Sequence, residues 1–214
     1  MHLPDTPRMS VLAAVLVAGL LGHVPAARAQ DAQFGTWWVK FESSNLDGRL
    51  AACGLNFGAL VKEKVQGKDA AVLVIGLLFY QSINDTLSAA LKIGTGQLTG
   101  RGDKVSEVPM RPHAAWPRSS SGRDFAANIV SSRADEGPGE LFVVLRADDA
   151  LRTGLRESLL AGRLTILYSR TAGTPPIAVP LELDVVAVDR AGNRSRSRRA
   201  TDDFQKCNEA LARP

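Results

Sequence analysis

Apolar and polar residues alternate along most of the chain. Trp37, Val39 and Phe41 share one face of an extended segment, and Trp38, Lys40 and Glu42 take the other. Cys53, Leu55, Phe57, Ala59 and Val61 keep the same two-residue rhythm, as do Leu87, Ala89, Leu91 and Ile93. These patterns predict strands with one buried face, Trp37 entering the core and Trp38 lying at the sheet surface. Residues 72–80 and 141–145 are apolar at both parities, which predicts central strands covered on two sides. Phe125, Ala127 and Ile129 predict a further strand. Leu164, Ile166 and Tyr168, the turn Ala172-Gly173-Thr174-Pro175-Pro176, and then Ile177, Val179, Leu181, Leu183 and Val185 read as a hairpin. Pro180 lies on the opposite face of its second strand and lacks a donor, so that strand needs a free edge or a bulge.

Two segments change to helical spacing. Over 149–161, Leu151, Leu155 and Leu159 recur at i, i+4 and i+8, behind Asp148 and Asp149 and ahead of a terminating Gly162. A second helix is expected after Thr201, read as its cap, with Phe204, Cys207 and Leu211 on one face. Two stretches have no period. Residues 94–124, rich in glycine, proline and serine, predict an irregular and disordered loop. Residues 190–199 predict a basic loop.

The first 29 residues carry Arg8, an apolar run over 11–21 and the triplet Ala27-Arg28-Ala29, the layout of a secretory signal peptide cut before Gln30. The run is too short to span a bilayer, and no later segment supplies a transmembrane stretch. Residues 30–214 then form a single domain in the periplasm or a secreted protein. Both cysteines, Cys53 and Cys207, remain after cleavage, and an exported pair reads as one structural disulfide. Each lies on an apolar face, so the bridge is expected to tie the C-terminal helix over an early strand.

Export also changes the charge. The whole chain is +4, but residues 30–214 hold 24 basic against 21 acidic residues. Without Arg190, Arg194, Arg196, Arg198 and Arg199 the balance is 19 against 21, a mildly acidic body with one basic loop. That loop is a candidate contact for an anion or an acidic partner, against the plainer reading of a solvated connection. No aromatic residue interleaves the arginines to stack on bases, and export argues against nucleic acid.

Catalytic chemistry has few carriers. The three histidines are His2, His23 and His113, so export leaves only His113, in the irregular loop. Two-histidine sites are thereby excluded, and no metal or cofactor is implied. The acid pairs Asp135-Glu136, Asp148-Asp149 and Asp202-Asp203 admit a carboxylate-based glycan hydrolase, but the latter two sit where helix N-termini are expected and read as caps. Arg101, Gly102 and Asp103 spell an integrin-type tripeptide, either an exposed interaction loop or a chance match.

The helix around Leu155, the strand Gly162-Arg163-Leu164-Thr165-Ile166-Leu167-Tyr168, the turn, and Ile177-Ala178-Val179-Pro180-Leu181-Glu182-Leu183 resemble the ending of the invasion-associated locus B family of exported bacterial proteins. The closing Phe204-Gln205-Lys206-Cys207 is similar to the terminal helix of related periplasmic proteins, including an accessory protein of type VI secretion. The resemblance covers about a quarter of the chain and departs from the family at the arginine run and the central loop. It implies an antiparallel β-sandwich and a non-catalytic protein that binds or supports another envelope protein or a glycan. A secreted or surface host-interaction protein is the alternative.

Overall fold

Long hairpins build the molecule, a computed structural model of which describes residues 34–83, 86–101, 104–189 and 191–211. The expected leader and cleavage point lie outside the described residues. In chain order the elements are β1 (Gly35–Leu46), β2 (Arg49–Val65), β3 (Lys68–Ile83), β4 (Thr86–Arg101), β5 (Lys104–Pro109), β6 (Ala114–Arg118), β7 (Ile129–Ala134), β8 (Glu140–Leu145), α1 (Asp149–Ala161), β9 (Arg163–Ser169), β10 (Ile177–Glu182), β11 (Val185–Val188), β12 (Arg194–Arg196) and α2 (Arg199–Leu211). The fold is mainly antiparallel β, as the alternation predicts.

The large sheet runs β1-β2-β3-β4-β8-β7. Strand β2 has 17 residues, about 55 Å of extended chain at about 3.3 Å per residue. The outer edge of β4 is shared in two halves. Ala89 to Gly94 pair with β8, and Gly96 to Arg101 pair with β5. On one face of this sheet lie the three-stranded sheet β10-β9-β6 and both helices, completing the sandwich. Phe57, Leu78, Leu91 and Val143 from the large sheet meet Ile166, Tyr168 and Val179 from the small one in a single core.

Helix α1 spans the expected residues. The Asp148 carboxylate accepts the Leu151 N–H, and Gly162 ends the helix at φ 66°, the left-handed conformation that a side chain resists. Disulfide Cys53–Cys207 joins β2 to α2, with Cα atoms 5.9 Å apart. Beside it Tyr80 stacks on Phe204, centroids 6.2 Å apart. Strand β10 pairs on one side only, leaving Pro180 on a free edge as expected.

Several expectations are corrected. Residues 94–124 are not an irregular loop, because they hold the end of β4, all of β5 and all of β6. Their pattern was hidden: Gly94, Gly96 and Gly100 occupy β4 positions, and β5 is exposed at every residue, so burial imposes no alternation on it. Residues 125–128 are not a strand, and β7 begins only at Ile129. Ala126–Asn128 form a turn of 3-10 helix, and Phe125 is buried as its anchor. Trp37 is half-buried rather than in the core, and a register shift between Thr36 and Trp38 places Thr36 inside instead. Strand β3 is central in pairing but not covered twice, because Ile75 is 40% exposed on its second face. Thr201 lies within the first turn of α2, its hydroxyl donating to the Arg198 carbonyl, so it is not the cap. Nor is 190–199 all loop: Arg194–Arg196 form β12 against β11, and α2 begins at Arg199.

Candidate functional site

The basic segment is neutralised where it lies. Arg194 donates to Glu182 at 2.8 Å, and Arg196 bridges Asp184 at 2.7 Å and Glu182. Arg198 donates to the Leu159 carbonyl at 3.0 Å, which also accepts from the Gly162 N–H at the end of α1, and lies 3.9 Å from Asp202. Arg199 is outermost and lies 3.6 Å from Asp203. Arg194 and Arg196 fasten β12 to the end of β10, and Arg198 fastens the start of α2 to α1, whereas the Arg199–Asp203 pair lies within α2. Arg190 lies outside the described residues. So do Gly102 and Asp103, and of Arg101 only its pairing with Lys104 at the end of β4 is described.

The acid pairs do not face each other across a cleft. Asp148 caps α1 while Asp149 pairs with Arg152, and Asp202 and Asp203 serve the arginines. Asp135 binds Lys92 at 3.0 Å. His113 is exposed, and its backbone N–H donates to Ser169. Among the described residues, no group of three histidine, cysteine or acidic side chains could hold a metal ion.

Sequence reasoning missed a buried ionic cluster. Glu63 on β2 is 7% exposed and receives Arg170 in a fork, Nε to Oε1 at 2.8 Å and Nη2 to Oε2 at 2.7 Å. The Tyr168 hydroxyl donates to the same Oε2 at 2.8 Å. Burial, and then the neighbouring Glu63 carboxylate, push that phenol above its usual range despite Arg170. Arg170 Nη1 continues to Thr95 Oγ1 at 2.6 Å and the Met110 carbonyl at 2.5 Å. Both side-chain oxygens of Glu63 are engaged, which makes this a clamp between β2, β4 and β9. Glu63 and Arg170 are 107 residues apart, so no local pattern announces them.

The second missed feature is the outer face of the large sheet. Trp38, Ile75, Leu77, Phe79, Phe142 and Val144 point away from the core and are half-buried or exposed. Small residues keep the face shallow. The Trp38 indole lies over Gly58, where an added Cβ would come within 2.6 Å of the ring, and Leu77 lies over Gly54 in the same way. Phe79 and Phe142 meet at 6.2 Å, and the Arg133 guanidinium lies 5.3 Å from the Phe142 ring.

Charges of both signs flank this apolar strip, and one pair-forming lysine lies within it. Lys40 lies 5.5 Å from the Trp38 ring, and Glu42 accepts from Asn56 at 2.7 Å. Lys92, between Leu77 and Phe142 in the register, bonds Asp135 and Glu140, each at 3.0 Å. Partial burial pulls the Lys92 pKa down, but the two carboxylates outweigh it and hold it above the usual lysine value. The sequence signal for the strip was the double-parity apolar run at 72–80, read as covered because a second layer was assumed. The small sheet and the helices all lie on the other face. Among the described residues, no helix is long and apolar enough to cross a membrane.

Comparison of the chain with protein-family models, curated proteins and solved structures finds no match.

Proposed function

We propose that this is an exported, non-catalytic protein of the bacterial envelope that binds another envelope protein through the outer face of its large sheet. The observation that carries the reading is the strip of half-buried Trp38, Leu77, Phe79 and Phe142 with exposed Ile75, over which no element of the described residues packs. Large contiguous apolar patches on a protein surface mark interaction sites. An apolar, aromatic centre flanked by charges of both signs has the anatomy of a protein interface, whereas an anionic lipid surface would call for a cationic rim. The disulfide supports action in an oxidising compartment. The arginines at 194–199, spent on Glu182, Asp184, Asp202 and Asp203, lend little to the expected anion contact.

Substitution within the strip tests the reading. Ile75→Lys places a charge at a site already 40% exposed, so the melting temperature is expected to stay within about 2 °C. Affinity purification of tagged parent and variant from envelope extracts is expected to recover a stoichiometric partner with the parent and to lose it with Ile75→Lys. Equal recovery from both proteins would show that the face is not the binding surface.

A further inference from the structure

Helices α1 and α2 stand side by side on the core face of the sheet, and a cleft of about 190 Å³ opens between them. Its walls include Leu87, Leu155 and Leu159, with Tyr80 and Asn208 among them and Arg152 and Arg156 one helical turn apart on α1. Two residues of this cleft carry a buried polar atom with no hydrogen-bond partner among the described residues: the Tyr80 hydroxyl and the Asn208 side-chain carbonyl oxygen. Tyr80 is 5% exposed, with its ring held against Phe204. Buried polar groups are nearly always paired, so an orphaned phenol on a residue of the cleft wall calls for an acceptor from outside the described residues.

The charges around the hydroxyl say which acceptor. Arg156 makes no ion pair among the described residues, and Arg152, paired with Asp149, acts electrostatically on Tyr80 against Asp148. From α2 the cleft receives Glu209, which accepts from Gln205 at 3.2 Å. Burial raises the Tyr80 pKa above the ordinary phenol range, so the group stays a donor throughout the physiological range. Leucine walls suit a short hydrocarbon body, and an apolar cavity of about 150 Å³ takes a molecule the size of benzene.

We propose that the α1–α2 cleft is a binding site for a small aliphatic carboxylate of about six carbons, its carboxylate accepting from the Tyr80 hydroxyl and facing Arg152 and Arg156. The site is independent of the sheet's outer face, from which the core separates it. Binding requires no covalent step.

Calorimetric titration of the purified, disulfide-bonded protein with hexanoate and with hexan-1-ol tests this. Hexanoate is expected to bind one to one at low millimolar concentration and hexan-1-ol at least tenfold more weakly. Tyr80→Phe is expected to weaken hexanoate about tenfold, Arg156→Gln about fivefold, and Glu209→Gln to tighten it. The methyl resonances of Leu87, Leu155 and Leu159 in the parent protein give a second readout that needs no variant, and they are expected to shift with hexanoate. No heat with hexanoate, equal binding of the alcohol, unchanged affinity in Tyr80→Phe, or methyl shifts confined to other residues would each overturn the assignment.

Discussion

Glu63 and Tyr80 are both buried, and they have opposite energetics because one is paired and the other is not. Removing the Glu63 charge leaves the Arg170 guanidinium stranded against Tyr168, so Glu63→Gln is expected to destabilise the protein by about 3 kcal/mol, read as a lower urea midpoint. In the free protein Tyr80→Phe deletes a hydroxyl with no partner among the described residues and keeps the ring on Phe204. It is expected to stabilise by about 1 kcal/mol with an unchanged denaturant slope. At this scale the sequence was a poor guide. Cys53 and Cys207 were legible because they are the chain's only two cysteines and both lie on apolar faces, but the pairing of Glu63 with Arg170 depends on strands that meet only after folding.

Elements were read best where local chemistry and long-range packing agree. Helix α1 has its acidic cap, its leucine spacing and its terminating glycine in one continuous stretch, and its bounds match the expectation. Asp148→Ala removes the acceptor for the Leu151 N–H and is expected to cost about 1 kcal/mol in urea unfolding. Strand β5 failed to announce itself for the converse reason. It is held by backbone pairing to β4, and its side chains are exposed on both faces, so nothing selects an alternating pattern. The arginines at 194–199 were visible as charge, but their acceptors Glu182 and Asp184 belong to the preceding hairpin, and only folding brings the two together.

The whole molecule is a sandwich closed at one end by the bridge from β2 to α2. Cys53 and Cys207 are separated by 154 residues, and removing such a bridge costs about 2–5 kcal/mol. Cys207→Ser is therefore expected to melt well below the parent in oxidising buffer and to match the reduced parent in dithiothreitol. Acid acts on the molecule through its carboxylates. The Leu151 N–H holds Asp148 below its usual pKa. Burial pushes Asp135 up, but bonds from Lys92 and the Glu136 N–H bring it lower still. A depressed folded pKa gives stability that is complete above the unfolded value near 3.8 and is lost as pH falls through the folded values. The urea midpoint is accordingly expected to be flat from pH 7 to 5 and to drop toward pH 3.

The sandwich was anticipated, but an outer face on which no described element packs was not, because an apolar strand looks the same in sequence whether it is covered by its own chain or by a partner. That difference is where the functional claim stands. A photo-reactive amino acid at position 75, irradiated in living cells and followed by mass spectrometry, tests it most directly, with position 130, exposed on the edge strand β7, as the control. The expected result is one discrete adduct with a different envelope protein from position 75 and none from position 130; no adduct from 75, adducts only with a second copy of this chain, or the same adduct from both positions would contradict it.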